Sequence, residues 1–206
     1  MNNLYIHMKL VGSNEELFAI IVSSLLQWDD KMQSQCAQSF IEPLQLGLFT
    51  EPSKVKIVQK AILVVQEHSS PDNECYLLPW IEVFRVIAPL VQLKVIQDDV
   101  IPCLKELLSS QSSIELRKVG NLILFSILQE VGEEAMDREP QLPRLMQSVF
   151  HDNNYKLRRA GVLFLKEYFA KYQAAGKVQE IVDSPRFKDM YLLELLDFIQ
   201  DEDLHI

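Results

Sequence analysis

Leu116-Arg117-Lys118-Val119-Gly120 and Leu157-Arg158-Arg159-Ala160-Gly161 stand 41 residues apart, and this pair of stretches decides how the chain is read. The match extends both ways at the same offset without a gap. Upstream, Ile101-Pro102-x-Leu104 recurs as Leu142-Pro143-x-Leu145, and Leu108 recurs as Val149. Downstream, Leu122, Ile123 and Leu124 recur as Leu163, Phe164 and Leu165, while Ile127 and Leu128 recur as Tyr168 and Phe169. A partial third copy lies another 41 residues back, where Val83, Phe84 and Ile87 align with Leu124, Phe125 and Leu128. It ends where Pro79 stands in the place of Gly120.

Within each copy the apolar residues recur at spacings of three and four, the period of an amphipathic helix. Val100, Ile101, Leu104, Leu107 and Leu108 share one face of a helix predicted over 98–110. The run Ser109-Ser110-Gln111-Ser112-Ser113 then breaks the chain and offers N-cap side chains to a second helix over 114–131. The next copy repeats the plan with helices over 140–151 and 154–173, joined by His151-Asp152-Asn153-Asn154. Pro102 and Pro143 are expected in the first turn of their helices, where a missing N–H is least harmful. Upstream, 52–68 reads as a long amphipathic helix, and 14–27 with 31–48 as an earlier pair. Met190 to Ile199 reads as a last helix.

Composition agrees with a chain built of helices alone. Gly and Pro together make up 15 of 206 residues, too few for the frequent turns of a β-sandwich or barrel. The net charge is −9, from 20 basic and 29 acidic groups. Both halves are acidic, with 7 basic against 12 acidic residues over 1–103 and 13 against 17 over 104–206. Neither a basic balance nor a basic stripe is read, so nucleic acid is not an expected partner. An acidic chain is also a poor ligand for anionic membrane surfaces. Cys36, Cys75 and Cys103 are odd in number and far apart, which suits buried thiols in a reducing compartment. The N-terminal residues lack the basic start and apolar run of a signal peptide, and the most apolar stretch, Leu122 to Leu128 with Ser126 inside it, is too short to span a bilayer. The expected location is intracellular, cytoplasmic or nuclear.

Catalytic chemistry finds no foothold. The four histidines, His7, His68, His151 and His205, are isolated, and no metal-ligand spacing, phosphate loop or nucleophile elbow is present. The expectation is a protein that is not an enzyme and carries no cofactor or metal.

The period of 41, two helices per unit and an Arg at the start of each second helix resemble HEAT repeats. Residues 83–170 resemble most the arrays of protein phosphatase 4 regulatory subunits and of the protein phosphatase 2A scaffold. Ile87-Ala88-Pro89-Leu90-Val91, Val100-Ile101-Pro102, Val131-Gly132, Leu142-Pro143-Arg144-Leu145 and the two Arg-bearing stretches carry that likeness. It implies an all-α fold: a short right-handed α-α superhelix of four to five helix pairs, with 1–206 a single domain. It also implies a non-catalytic scaffold or adaptor whose protein partner is a Ser/Thr phosphatase catalytic subunit, its client, or a member of a larger complex. By the same likeness Asp152, Arg158 and Arg117 belong to a ladder of ion pairs between neighbouring units, interrupted where Gln111 replaces the acid. Gly120 and Gly161 are expected to let helices approach closely.

Protein-binding candidates are His151, Asn154 and Tyr155, which place hydrogen-bonding groups and an aromatic on a turn held by two helices. The other reading of that turn is capping by Asp152 and Asn153. Trp28, in a predicted first inter-helix loop, resembles tubulin-binding TOG arrays, which give the alternative function. Trp80, amid Leu77, Leu78 and Ile81, is expected in the core.

Overall fold

The computed structural model describes residues 36–67 and 74–183, with positions 20, 23, 24, 32, 191, 192, 194 and 196, and at 74–76, 132–137 and 180–181 the backbone alone. The described residues are mostly helical and no strand occurs among them, so the protein is all-α. Proximity divides the described residues into two compact units. One comprises those up to Leu104 together with Ser126–Val131; the other comprises Lys105–Phe125 and those from Gly132 onward.

The first unit begins with a 3₁₀ turn, Gln38–Phe40, and a short helix α1, Ile41–Gln45. Gly47 closes α1 with φ +68°, and the amides of Gly47 and Leu48 donate to the carbonyls of Leu44 and Pro43. That is the left-handed stop that glycine makes without strain. Helix α2 runs Glu51–Glu67, within a residue of its predicted span at each end, and packs on α3, Glu74–Ile87. Ile57, Val58, Ala61, Val64 and Val65 form the buried stripe of α2. Opposite them lie Trp80, Val83, Phe84 and Ile87, all fully buried. The Phe40 ring rests 6.0 Å from Phe49 and 6.3 Å from Trp80, so Trp80 is core as expected.

Pro102 is the second residue of α5 (Ile101–Leu107), in the first turn as expected, but α5 continues a helical run from α4 (Leu93–Val95) through a π turn (Ile96–Val100). A proline inside a helix lacks the N–H that its fourth predecessor's carbonyl would accept, and its ring crowds that carbonyl. Here the fourth predecessor is Asp98, and the wider π turn passes through it. Pro143 also sits in the first turn, as the third residue of its helix.

The second unit holds the repeated stretches. Helix α6 spans Ile114–Arg138, seven residues beyond the predicted end at 131, and residues 126–131 of it belong to the first unit. Helix α7, Gln141–Phe150, buries Leu142, Leu145, Met146, Val149 and Phe150, an unbroken three-four pattern. Helix α8, Tyr155–Ala174, answers with Leu157, Gly161, Phe164, Leu165 and Tyr168. The pair forms a hairpin across the turn 151–154. Each buried Leu, Met or Phe contributes about 1.5–3 kcal/mol of transfer free energy. A short helix α9, Val178–Asp183, packs on α8 after Gly176, whose φ of +70° ends α8 as Gly47 ends α1. Tyr191, also buried, meets the rings of Tyr168 at 6.4 Å and Phe169 at 6.0 Å.

The two repeated glycines are close-approach points. A Cβ on Gly120 would stand 2.8 Å from Leu108 Cδ2, and one on Gly161 would stand 2.9 Å from the ring of Phe150. Apart from positions 20, 23, 24 and 32, the expected helix at 14–27 and the first part of that at 31–48 lie outside the described residues, as does most of that at Met190 to Ile199.

Candidate functional site

Both second helices start on the same device. At α6, Ser113 Oγ accepts from the amide of Leu116 at 3.2 Å; at α8, Asn154 Oδ1 accepts from the amide of Lys156 at 3.0 Å. Ser113 and Asn154 are 41 residues apart. The arginine behind each cap turns back to the preceding loop. Arg117 Nη1 donates to the Ser112 carbonyl at 2.6 Å, while Arg158 Nη1 donates to the carbonyls of Asp152 at 3.0 Å and Asn153 at 3.4 Å. These bonds fix the loops that precede both helices.

Between the two copies stands an ion pair. Arg117 Nε lies 2.7 Å from Asp152 Oδ2, and Nη2 donates to Oδ1 at 3.2 Å, with both side chains only 10% exposed. Oδ1 also accepts the Asn154 amide at 2.7 Å. The Asp152 carboxylate therefore ties the turn of the α7–α8 hairpin to α6. Arg158, six residues along, donates to carbonyl oxygens of this turn.

A cleft of about 470 Å³ opens beside this pair, lined among others by Lys105, Ser109, Ser148, His151 and Asn153. Lys105 Nζ donates to Gln141 Oε1. His151 is 63% exposed, and its Nε2 lies 3.2 Å from Oε1 of the buried Glu194. Its lining combines the Arg117–Asp152 pair, serine hydroxyls and the His151 imidazole with the apolar side chains of Leu108 and Leu145.

The sequence candidates thus part ways. His151 lines the cleft. Asn154 is spent on capping, a role the sequence reading offered to Asp152 and Asn153 instead. Tyr155 stands exposed at the first position of α8, with the Lys156 ammonium 6.0 Å from its ring centre. Trp28 lies outside the described residues. Sequence reasoning missed Lys105, Ser148 and Glu194, which carry no motif of their own.

It also missed a concentration of charge. Helix α8 holds five basic residues, Lys156, Arg158, Arg159, Lys166 and Lys171, against the single acid Glu167. Counting over half-chains averaged this away, so the expectation of no basic stripe needs correction at the scale of one helix. Among the described residues no cluster of three or more His, Cys, Asp or Glu side chains gathers to hold a metal, and no helix is long and apolar enough to cross a membrane. Burial raises the Cys36 thiol above its usual range, which keeps it protonated.

No family model, curated protein or solved structure matches the chain.

Proposed function

We propose that the protein is a HEAT-type helical-repeat adaptor: a non-catalytic chain that binds other proteins along its stacked hairpins, as a regulatory or scaffold subunit for a Ser/Thr protein phosphatase. The observation that carries this reading is the repetition of three local devices at one offset. Cap, back-turned arginine and close-approach glycine recur at 113/154, 117/158 and 120/161. A chain that repeats the same cap, arginine and glycine and ties the copies with a buried Arg117–Asp152 pair is suited to stacking repeats into an extended surface. The phosphatase assignment follows from the sequence resemblance alone. The tubulin-binding alternative needs basic inter-helix turns, and the turns 108–113 and 151–154 contain neither Lys nor Arg.

The test is affinity purification of the tagged full chain from native lysate, with mass spectrometry and a phosphoserine-peptide hydrolysis assay on the eluate. The expected result is a stoichiometric phosphatase catalytic subunit with matching activity. A stoichiometric partner without phosphatase activity overturns the phosphatase assignment and keeps the adaptor. An eluate with no stoichiometric protein overturns both.

A further inference from the structure

We propose that the face shared by α6 and α8 docks an acidic, amphipathic helical segment of a partner protein; this rests on the adaptor reading above and names the chemistry of its partner. Four large apolar side chains are exposed there: Ile114 at 38%, Leu122 at 47%, Tyr155 at 43% and Leu163 at 49%. They fall at equivalent places in the two copies, 114 with 155 and 122 with 163. Buried positions repeat because packing demands it. These four are not buried, so packing gives no reason for them to be apolar twice.

Their geometry is that of two parallel rows. In each helix the apolar pair is eight residues apart, about 12 Å along the axis, on one side. The rows lie side by side, because the Phe125 and Phe164 rings stack at 4.4 Å and Arg117 of α6 meets Asp152 in the turn that leads into α8. Each row carries a cation at its midpoint, Lys118 in α6 and Arg159 in α8, and Lys166 continues the second row beyond Leu163. All three are exposed, and none is held in an ion pair among the described residues.

Apolar anchors flanked by uncompensated cations complement a helix with an apolar stripe and Asp or Glu on its shoulders. The net charge of −9 decides against a long polyanion. Nucleic acid or an anionic bilayer would feel the repulsion of the whole chain, whereas a short acidic segment senses charge only within a Debye length of about 8 Å.

The test uses the full chain and a labelled peptide with leucine along one stripe and glutamate on both flanks, followed by fluorescence anisotropy. The expected result is saturable binding that weakens with salt and falls at least tenfold for a scrambled peptide of the same composition. Arg159→Glu with Lys166→Glu, and separately Tyr155→Ser with Leu163→Ser, should each lower affinity at least tenfold at unchanged melting temperature. Equal binding of the scrambled peptide, unchanged affinity in both variants, or preference for single-stranded DNA or phosphatidylserine vesicles would overturn the proposal. A native partner that the wild-type chain captures and both variants still retain would also overturn it, while leaving the adaptor reading intact.

Discussion

The hairpin of α7 and α8 and the stretch formed by α5 and α6 are written on one template yet differ in instructive places. The interiors of their second helices correspond: Ile123 and Phe164, Leu124 and Leu165, and Ile127 and Tyr168 are buried alike, and Gly120 and Gly161 both accept a neighbouring side chain where a Cβ would not fit. In the first helices, by contrast, the buried Met146 and Phe150 answer Lys105 and Ser109. Their turns do not correspond. Residues 108–113 are a serine-rich loop, with Ser112 Oγ bonded back to the Glu106 carbonyl, whereas 151–154 is a tighter turn organised around one carboxylate. Gln111 occupies the place of Asp152 and bonds only through its amide, to Ser109 Oγ. Packing holds the interior to a pattern, while the turns are free to diverge.

If that equivalence is real, its interior should fail equally in both copies. Leu165→Ala and Leu124→Ala should each destabilise the protein by about 2–5 kcal/mol in chemical denaturation. A cost in one copy matching a surface control would break the correspondence. The turns should behave unequally. Asp152→Ala strands the Arg117 guanidinium and frees the Asn154 amide, at about 3 kcal/mol, whereas exposed Gln111→Ala should stay within about 0.5 kcal/mol. A double-mutant cycle with Arg117→Ala isolates the ion pair, and negligible coupling would remove it as the tie between the copies. The smallest effect is expected at the caps, where Asn154→Ala and Ser113→Ala should each cost about 1 kcal/mol and lower the melting temperature alike.

What the sequence made legible follows the same division. Period and caps place α2, α7 and α8 within a residue or two of their observed ends, because apolar spacing and polar turn residues are local signals. The far end of α6 was not legible: the expected span stops at 131, but a glycine inside a helix costs only about 1 kcal/mol and the helix runs on through Gly132 to Arg138. Arg117 and Asp152 were legible as ladder members, but their mutual pairing is a contact across 35 residues that no local pattern encodes. The basic character of α8 was present in the sequence throughout. It was lost because acidic residues elsewhere in the same half of the chain cancel it in a sum. The cleft beside His151 draws Lys105 and Ser148 from separate segments, which composition cannot reveal.

The π turn at Ile96–Val100 has a consequence for how this chain can change length. A π turn is an α-helix carrying one surplus residue, so the run from Leu93 to Leu107 stores a spare position just ahead of Pro102. Deleting one residue from 97–99 would let the run relax toward ordinary α geometry and turn Leu93–Val95 by about 100° about the axis, leaving both flanking loops at their present lengths. Most helices absorb an insertion or deletion by shifting every later side chain off its face. This one has a joint where a single residue can be gained or lost with the disturbance confined to one short arm.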